Sequence, residues 1–260
     1  MPFVRSKLAS VVLLAVALPA VLACGRGDEA ASVPSRATSA EAARDTVRAP
    51  ARTDAPAAAD ERLPARGIDV SHYQGRVDWR AVEEAGIGFA FLKATEGVTF
   101  TDPTFRAHWA ALGETRILRG AYHRFRAGRD AAAQAEHFLA VARLGEGDLP
   151  AVLDVETTDG VSDARLIRGA RTWLEAVERR TGARPIVYTR PGFRRTHLGR
   201  ALDDYPLWIA EYNVDSPSTG TWSFWQHSQQ GRVAGIQNIV DLDHFNGSLA
   251  ELRKLAVPTK

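Results

Sequence analysis

Asp154 and Glu156 stand one residue apart, with Val155 between them, at the end of the apolar run Ala151-Val152-Leu153. Side chains two apart on a strand share a face, so an extended chain here sets two carboxyls side by side where a strand stops. A second negative charge beside the first is disfavoured, and partial burial acts in the same direction, so one of the pair is pressed to keep its proton. A protonated carboxyl beside a charged one is equipment for general acid chemistry near neutral pH. Glu156 has the longer reach and the higher reference pKa and is the expected acid, while Asp154 is expected to stay ionised. The like-charge pair spreads the titrations apart and predicts a mildly acidic optimum, with the upper limb set by Glu156 and the lower limb by aspartates.

Such a pair needs elements to hold it. Strands are expected at 67–71, 88–94, 117–125, 151–156, 185–189, 206–212, 222–227 and 238–245, and helices at 78–86, 103–112, 129–144 and 162–182, the last capped by Ser162 or Asp163. Mostly apolar strands with helices between the first five argue for a parallel sheet covered on its outside. Eight such units close most economically into a barrel, and the crowded stretch after residue 206 leaves little room for helices. The expected fold is α/β, an irregular (β/α) TIM-like barrel with eight strands and fewer than eight outer helices. An open doubly wound sheet is the alternative, and no Gly-rich phosphate loop follows any strand to favour its nucleotide-binding form.

In a barrel the strand ends meet on one rim, where active sites of this fold sit. Asp69, Lys93, Tyr122, His123, Asp154, Glu156, Tyr188, Glu211, Tyr212, Trp225, Gln226 and Asp241 all fall on or at the ends of expected strands. Solvated strand ends do not explain why carboxylates follow apolar runs on several separate strands. Tyr122, Tyr188, Tyr212 and Trp225 are candidates for lining a groove with aromatic faces, with core packing as the alternative. Lys93 is placed to neutralise the acidic cluster. His72, His123 and His227 have no metal-ligand spacing, so no metal and no cofactor is expected.

Taken in order, "GIDVSHYQG", "FAFLKATEG", "RGAYHRF", "AVLDVE", "LWIAEY", "FWQH" and "VDLDHFNG" resemble the motif set of glycoside hydrolase family 25, the Chalaropsis-type muramidases of bacteria and phages, over residues 66 to 248. The resemblance implies an irregular barrel that cuts the β-1,4 bond between N-acetylmuramic acid and N-acetylglucosamine. It implies Glu156 as general acid, with Asp154, Asp69 and Asp241 completing the carboxylate set. Lys93, Tyr122, His123, Tyr188, Tyr212, Trp225 and Gln226 are then expected to bind substrate. The sequence departs from the family in segment 112–120 and at Asp243, where the family more often has Asn. Asp154 would steady the oxocarbenium-like state or orient the substrate's acetamido group. The Cα spacing of roughly 6.5–7 Å between strand neighbours two apart leaves retention and inversion both open. Two other functions compete: a chitinase-like glycosidase, disfavoured because Val152 and Leu149 stand where that signature has further acids, and a wall-binding protein without catalysis, disfavoured by the four intact carboxylates.

The chain has 260 residues, and its first 23 read as an export signal, with Arg5 and Lys7 ahead of the uncharged apolar run Leu8 to Ala23. The run ends in "VLAC", which resembles a bacterial lipobox, so Cys24, the only cysteine, is the expected lipidation site and membrane anchor. A retained membrane helix is the alternative. Residues 24–63 lack aromatics and hydrophobic periodicity and read as a tether. Its 38 residues from Gly25 to Arg62 would span roughly 30–40 Å as a coil and about 130 Å when stretched. Residues 64–260 form the expected catalytic domain. Residues 1–63 hold 8 Lys+Arg and 7 Asp+Glu, leaving 25 and 24 of the total 33 and 31, a net charge near +1 for the remainder. That balance calls for no nucleic acid and no anionic surface. The expected partner is the glycan strand of peptidoglycan, met by a monomer. The expected location is outside the cytoplasm as a membrane-anchored lipoprotein, on the outer membrane or periplasmic face if the cell is Gram-negative, with secretion as the alternative.

Overall fold

The computed structural model describes residues 64–259, in which one sheet closes on itself. In chain order the elements are β1 (Arg66–Val70), α1 (Trp79–Glu84), β2 (Phe89–Glu96), β3 (Phe100–Thr101), α2 (Phe105–Leu112), β4 (Leu118–Arg124), α3 (Ala131–Ala142) and β5 (Val152–Asp154). There follow α4 (Asp163–Thr181), β6 (Ile186–Thr189), α5 (Pro191–Phe193), β7 (Leu207–Ala210), β8 (Phe224–Gly231), β9 (Val240–Phe245) and α6 (Leu249–Arg253). The ring runs β1-β9-β8-β7-β6-β5-β4-β2 and is closed by parallel pairing of β2 with β1. β3 lies outside it, folded back on the end of β2.

The eight expected strands are the eight of the barrel, and the four expected helices are α1 to α4. The all-parallel sheet is corrected: β9 runs antiparallel to both β8 and β1. The stretch from Gly231 to Val240 holds no helix, and a parallel return needs a crossover of a dozen residues or more. α5 and α6 were not expected; they are short turns of helix that periodicity cannot register.

The helices obey local rules. Asp78 accepts from Arg80 and Ala81 at the start of α1, and Asp130 from Ala133 at the start of α3. α4 buries Leu166, Ala170, Trp173, Leu174 and Val177 along one stripe and ends on Gly182 at φ +77°. α3 ends on Arg143 in the left-handed region, φ +49°, rather than at Gly145.

Alternation of side chains divides the core in two. Ile68, Ala90, Leu92, Ala121, Leu153 and Val187 face the helices, whereas Phe89, Phe91, Val152, Ile186, Trp208, Phe224 and Phe245 fill the barrel. Gly67 and Gly120 face inward beneath two of these rings. A Cβ at Gly120 would lie 2.4 Å from the Phe91 ring and 3.0 Å from the Leu149 Cβ. Gly120→Ala therefore overpacks the barrel, with an expected cost of about 1–3 kcal/mol. That cost lowers the melting midpoint by roughly 2–10 °C, and an unaltered midpoint in a thermal scan would contradict the packing account.

Candidate active site

The inward positions at one barrel mouth carry the chemistry. Counting by two along each strand brings Asp69, Lys93, Tyr122, Arg124, Asp154, Tyr188, Gln226 and Asp241 to one cavity of about 320 Å³, with Glu156, Arg190 and Tyr212 on the segments just beyond. The mouth is the carboxyl end of the parallel strands. Asp241 joins it from the opposite end of its own strand because β9 is reversed, which sets Asp241 directly across from Asp69. Ser71, Tyr73, Gln74 and Gln229 also line the wall, with Val152 and Trp208 beneath. Tyr73 is 74 % exposed.

One amide organises the floor. Gln226 donates through Nε2 to Asp69 Oδ2 at 2.6 Å, and its Oε1 accepts from the Tyr188 and Tyr212 hydroxyls at 3.0 and 2.5 Å. Beneath Asp69 lies Asp243, 1 % exposed, with Oδ1 accepting from Trp208 Nε1 at 3.0 Å. Burial, then the charge of Asp69, pushes the Asp243 carboxyl well above the usual aspartate range. Its other oxygen, Oδ2, is buried with no hydrogen-bond partner.

The carboxyls are crowded and dry. Burial first, then Asp241, raises Asp69 well above its ordinary value. Burial and the neighbouring Glu156 raise Asp241 to about 6. The same two causes raise Asp154 to about 8, and its buried Oδ1 has no hydrogen-bond partner. Glu156 instead rests in ion pairs: Arg124 Nη1 lies 2.9 Å from Oε2, and Arg190 Nε lies 3.2 Å from Oε1. Burial and the neighbouring charge thus favour the protonated form of Asp154, while Glu156 is the member of the pair held in two arginine ion pairs. Counting carboxyls could not reveal this, because the arginines that decide it come from β4 and from the residue after β6.

Two expected site residues face the wrong way. His123 follows Tyr122 on β4 and so points to the opposite face, into the helix layer. There its ring stacks on Trp173 at 5.5 Å, Nδ1 meets Thr95 Oγ1 at 2.7 Å and Nε2 meets Gln134 Oε1 at 3.1 Å. Burial lowers it to about 4, so it is a neutral core histidine. Trp225 precedes Gln226 and likewise faces outward, donating to the Glu211 carbonyl at 2.7 Å beside His227 and His244. Lys93 reaches the cavity, but its direct partner is Glu96 at 2.8 Å. Arg124 and Arg190 were missed, although each stands two residues beyond a tyrosine already singled out, Tyr122 and Tyr188.

A barrel whose mouth gathers crowded carboxyls, neutral tyrosine hydroxyls and an open cleft defines the class of the carboxylate glycoside hydrolases. The chain belongs to glycosyl hydrolases family 25, whose sequence profile matches residues 68–236. It is 43 % identical to the uncharacterized protein YegX of Escherichia coli O6:H1 over 203 residues, 74 % of this chain and 75 % of that one. It is 36 % identical to lysozyme M1 of Streptomyces globisporus over 212 residues, 74 % and 71 % of the two chains. Among solved structures, the bacterial lysozyme of Streptomyces coelicolor superposes with a TM-score of 0.71 at 34 % identity, covering 75 % of this chain and 97 % of its own.

Proposed function

We propose that this enzyme is a muramidase that hydrolyses the β-1,4 bond between N-acetylmuramic acid and N-acetylglucosamine in peptidoglycan. The observation that carries the reading is the convergence of Asp69 from β1, Asp154 and Glu156 from the end of β5, and Asp241 from β9 on one cleft. The names of the relatives, lysozyme M1 and bacterial lysozyme, support the substrate class. In this reading Glu156 protonates the leaving glycosidic oxygen while the aspartates supply negative charge to the oxocarbenium-like sugar. Gln226 fixes Asp69, and Tyr122, Tyr188 and Tyr212 offer ring edges and hydroxyls to the sugar. Digestion of purified peptidoglycan, followed by mass spectrometry of the fragments, tests it. New reducing ends on muramic acid are expected; reducing ends on N-acetylglucosamine, or no cleavage, would overturn the proposal.

We also propose that the enzyme is exported and anchored through a lipid on Cys24, a position outside the described residues. The support is the sequence pattern alone: a charged start, an apolar run and "VLAC" at its end. Wild-type protein is expected in the membrane fraction with a fatty-acid label, and Cys24→Ser to be unlabelled, as uncleaved precursor or soluble protein. Soluble, unlabelled wild-type protein would leave an ordinary secretion signal in its place.

A further inference from the structure

We infer that Arg124 and Arg190 form a carboxylate-binding subsite beside the acid, and that the preferred substrate presents a free carboxylate on its muramyl arm. The inference rests on the muramidase reading above and narrows its substrate. Each oxygen of Glu156 is occupied by a different guanidinium, Oε2 by Arg124 at 2.9 Å and Oε1 by Arg190 at 3.2 Å. Glu156 must carry a proton when it meets the leaving oxygen, and in that state it offers neither arginine a counter-charge. Arg124 then keeps only Asp154, at 3.8 Å, and Arg190 keeps no ion pair among the described residues. Both cations line the same cavity as the acid. The other cations near the mouth are engaged elsewhere: Lys93 with Glu96, and Arg126 with Glu96 and Asp159.

A planar guanidinium pair suits a carboxylate more than any neutral sugar group. The Arg190 side chain is 55 % exposed and that of Arg124 is 32 % exposed, so Arg190 is free to turn toward a ligand without disturbing the core. The muramyl residue differs from N-acetylglucosamine by a lactyl ether that ends in a carboxyl. That carboxyl is free when the stem peptide has been removed. When the stem is present it is an amide, and the nearest carboxylates are those of the peptide. Either anion replaces Glu156 as the partner of the arginines. With Arg124 and Arg190 turned to the ligand, Glu156 is released from both ion pairs to face the leaving oxygen. If the lactyl carboxylate is the ligand, the reaction that supplies this substrate is hydrolysis of the amide joining muramic acid to its stem peptide.

The test uses the full-length protein on four glycan preparations: peptide-stripped strands with free lactyl carboxyls, the same strands capped as methylamides, peptide-bearing strands, and peptide-bearing strands with the stem carboxyls capped. Capping is expected to lower kcat/KM at least about tenfold in one of the two pairs, the usual weight of a lost charge-assisted contact. Loss within the stripped pair identifies the lactyl carboxylate, and loss within the peptide-bearing pair identifies the stem. Arg190→Gln should abolish the discrimination mainly through KM, and Arg190→Lys should restore part of it. The subsite is overturned if capping changes neither pair while muramic reducing ends still form. It is equally overturned if Arg190→Gln slows capped and free strands by the same factor, which would make the arginine only a counter-ion of Glu156. Absence of muramic reducing ends from every preparation would sink the muramidase reading instead.

Discussion

Glu156→Gln is expected to lower kcat/KM on peptidoglycan by at least about 100-fold, the ordinary weight of a positioned proton donor. The amide keeps the shape of the acid and one oxygen able to accept from Arg124 or Arg190, but it has no proton to give the leaving oxygen. The residue lies just past the end of β5, outside both apolar clusters, so the fold should survive. Loss of activity with a melting midpoint within a few degrees of wild type is the expected pair of results. Activity within a few-fold of wild type would remove Glu156 from the acid role.

Asp154→Asn should do two opposite things: cut activity by about 100-fold and raise stability toward neutral and alkaline pH. Asp154 is 6 % exposed, and its folded pKa of about 8 lies above the value near 3.9 of an unfolded aspartate. The native state therefore binds this proton more tightly than the unfolded chain. The stability linked to it is fully present below about pH 4 and is lost as the pH rises through about 8, where a buried carboxylate must ionise. Asn does not titrate, so the gap in melting midpoint between mutant and wild type should be small at the acid end. It should widen at the alkaline end, where the linked difference in unfolding free energy is on the order of a few kcal/mol. Midpoints measured across that range decide it, and a pH-independent offset would show that Asp154 does not retain a proton in the folded protein. Asp69, Asp241 and Asp243 are shifted in the same direction. The wild-type enzyme should accordingly lose stability over the same window, a cost of keeping charge-ready groups in a functional cleft.

Much of the architecture was legible because it is written locally. Apolar runs of strand length, the helical stretches 78–86, 103–112, 129–144 and 162–182, and the ordered motifs each depend on near neighbours in the chain. The same is true of Asp69, Asp154, Glu156 and Asp241, which end or begin apolar runs and so had to reach a barrel mouth. His123 and Trp225 lie outside the cavity for a reason that the sequence itself carries. Adjacent strand residues cannot share a face, so Tyr122 excluded His123 and Gln226 excluded Trp225 from the cavity. The same count by two from Tyr122 and Tyr188 reaches Arg124 and Arg190.

The sequence by itself determined the order of the eight barrel strands and of the first four helices, the carboxylates that line the mouth, and the family. Periodicity and spacing are properties of the chain that survive any arrangement of its neighbours. Only the tertiary structure decided the direction of β9, the partner of Asp243, the role of Gln226 as the amide that fixes Asp69, and the pairing of Glu156 with two arginines. Each of these depends on groups far apart in sequence, Asp69 with Gln226 and Asp241, Glu156 with Arg124 and Arg190. A carboxyl's proton affinity is set by burial and by charges within a few ångströms, and distance in space is what a linear chain does not state.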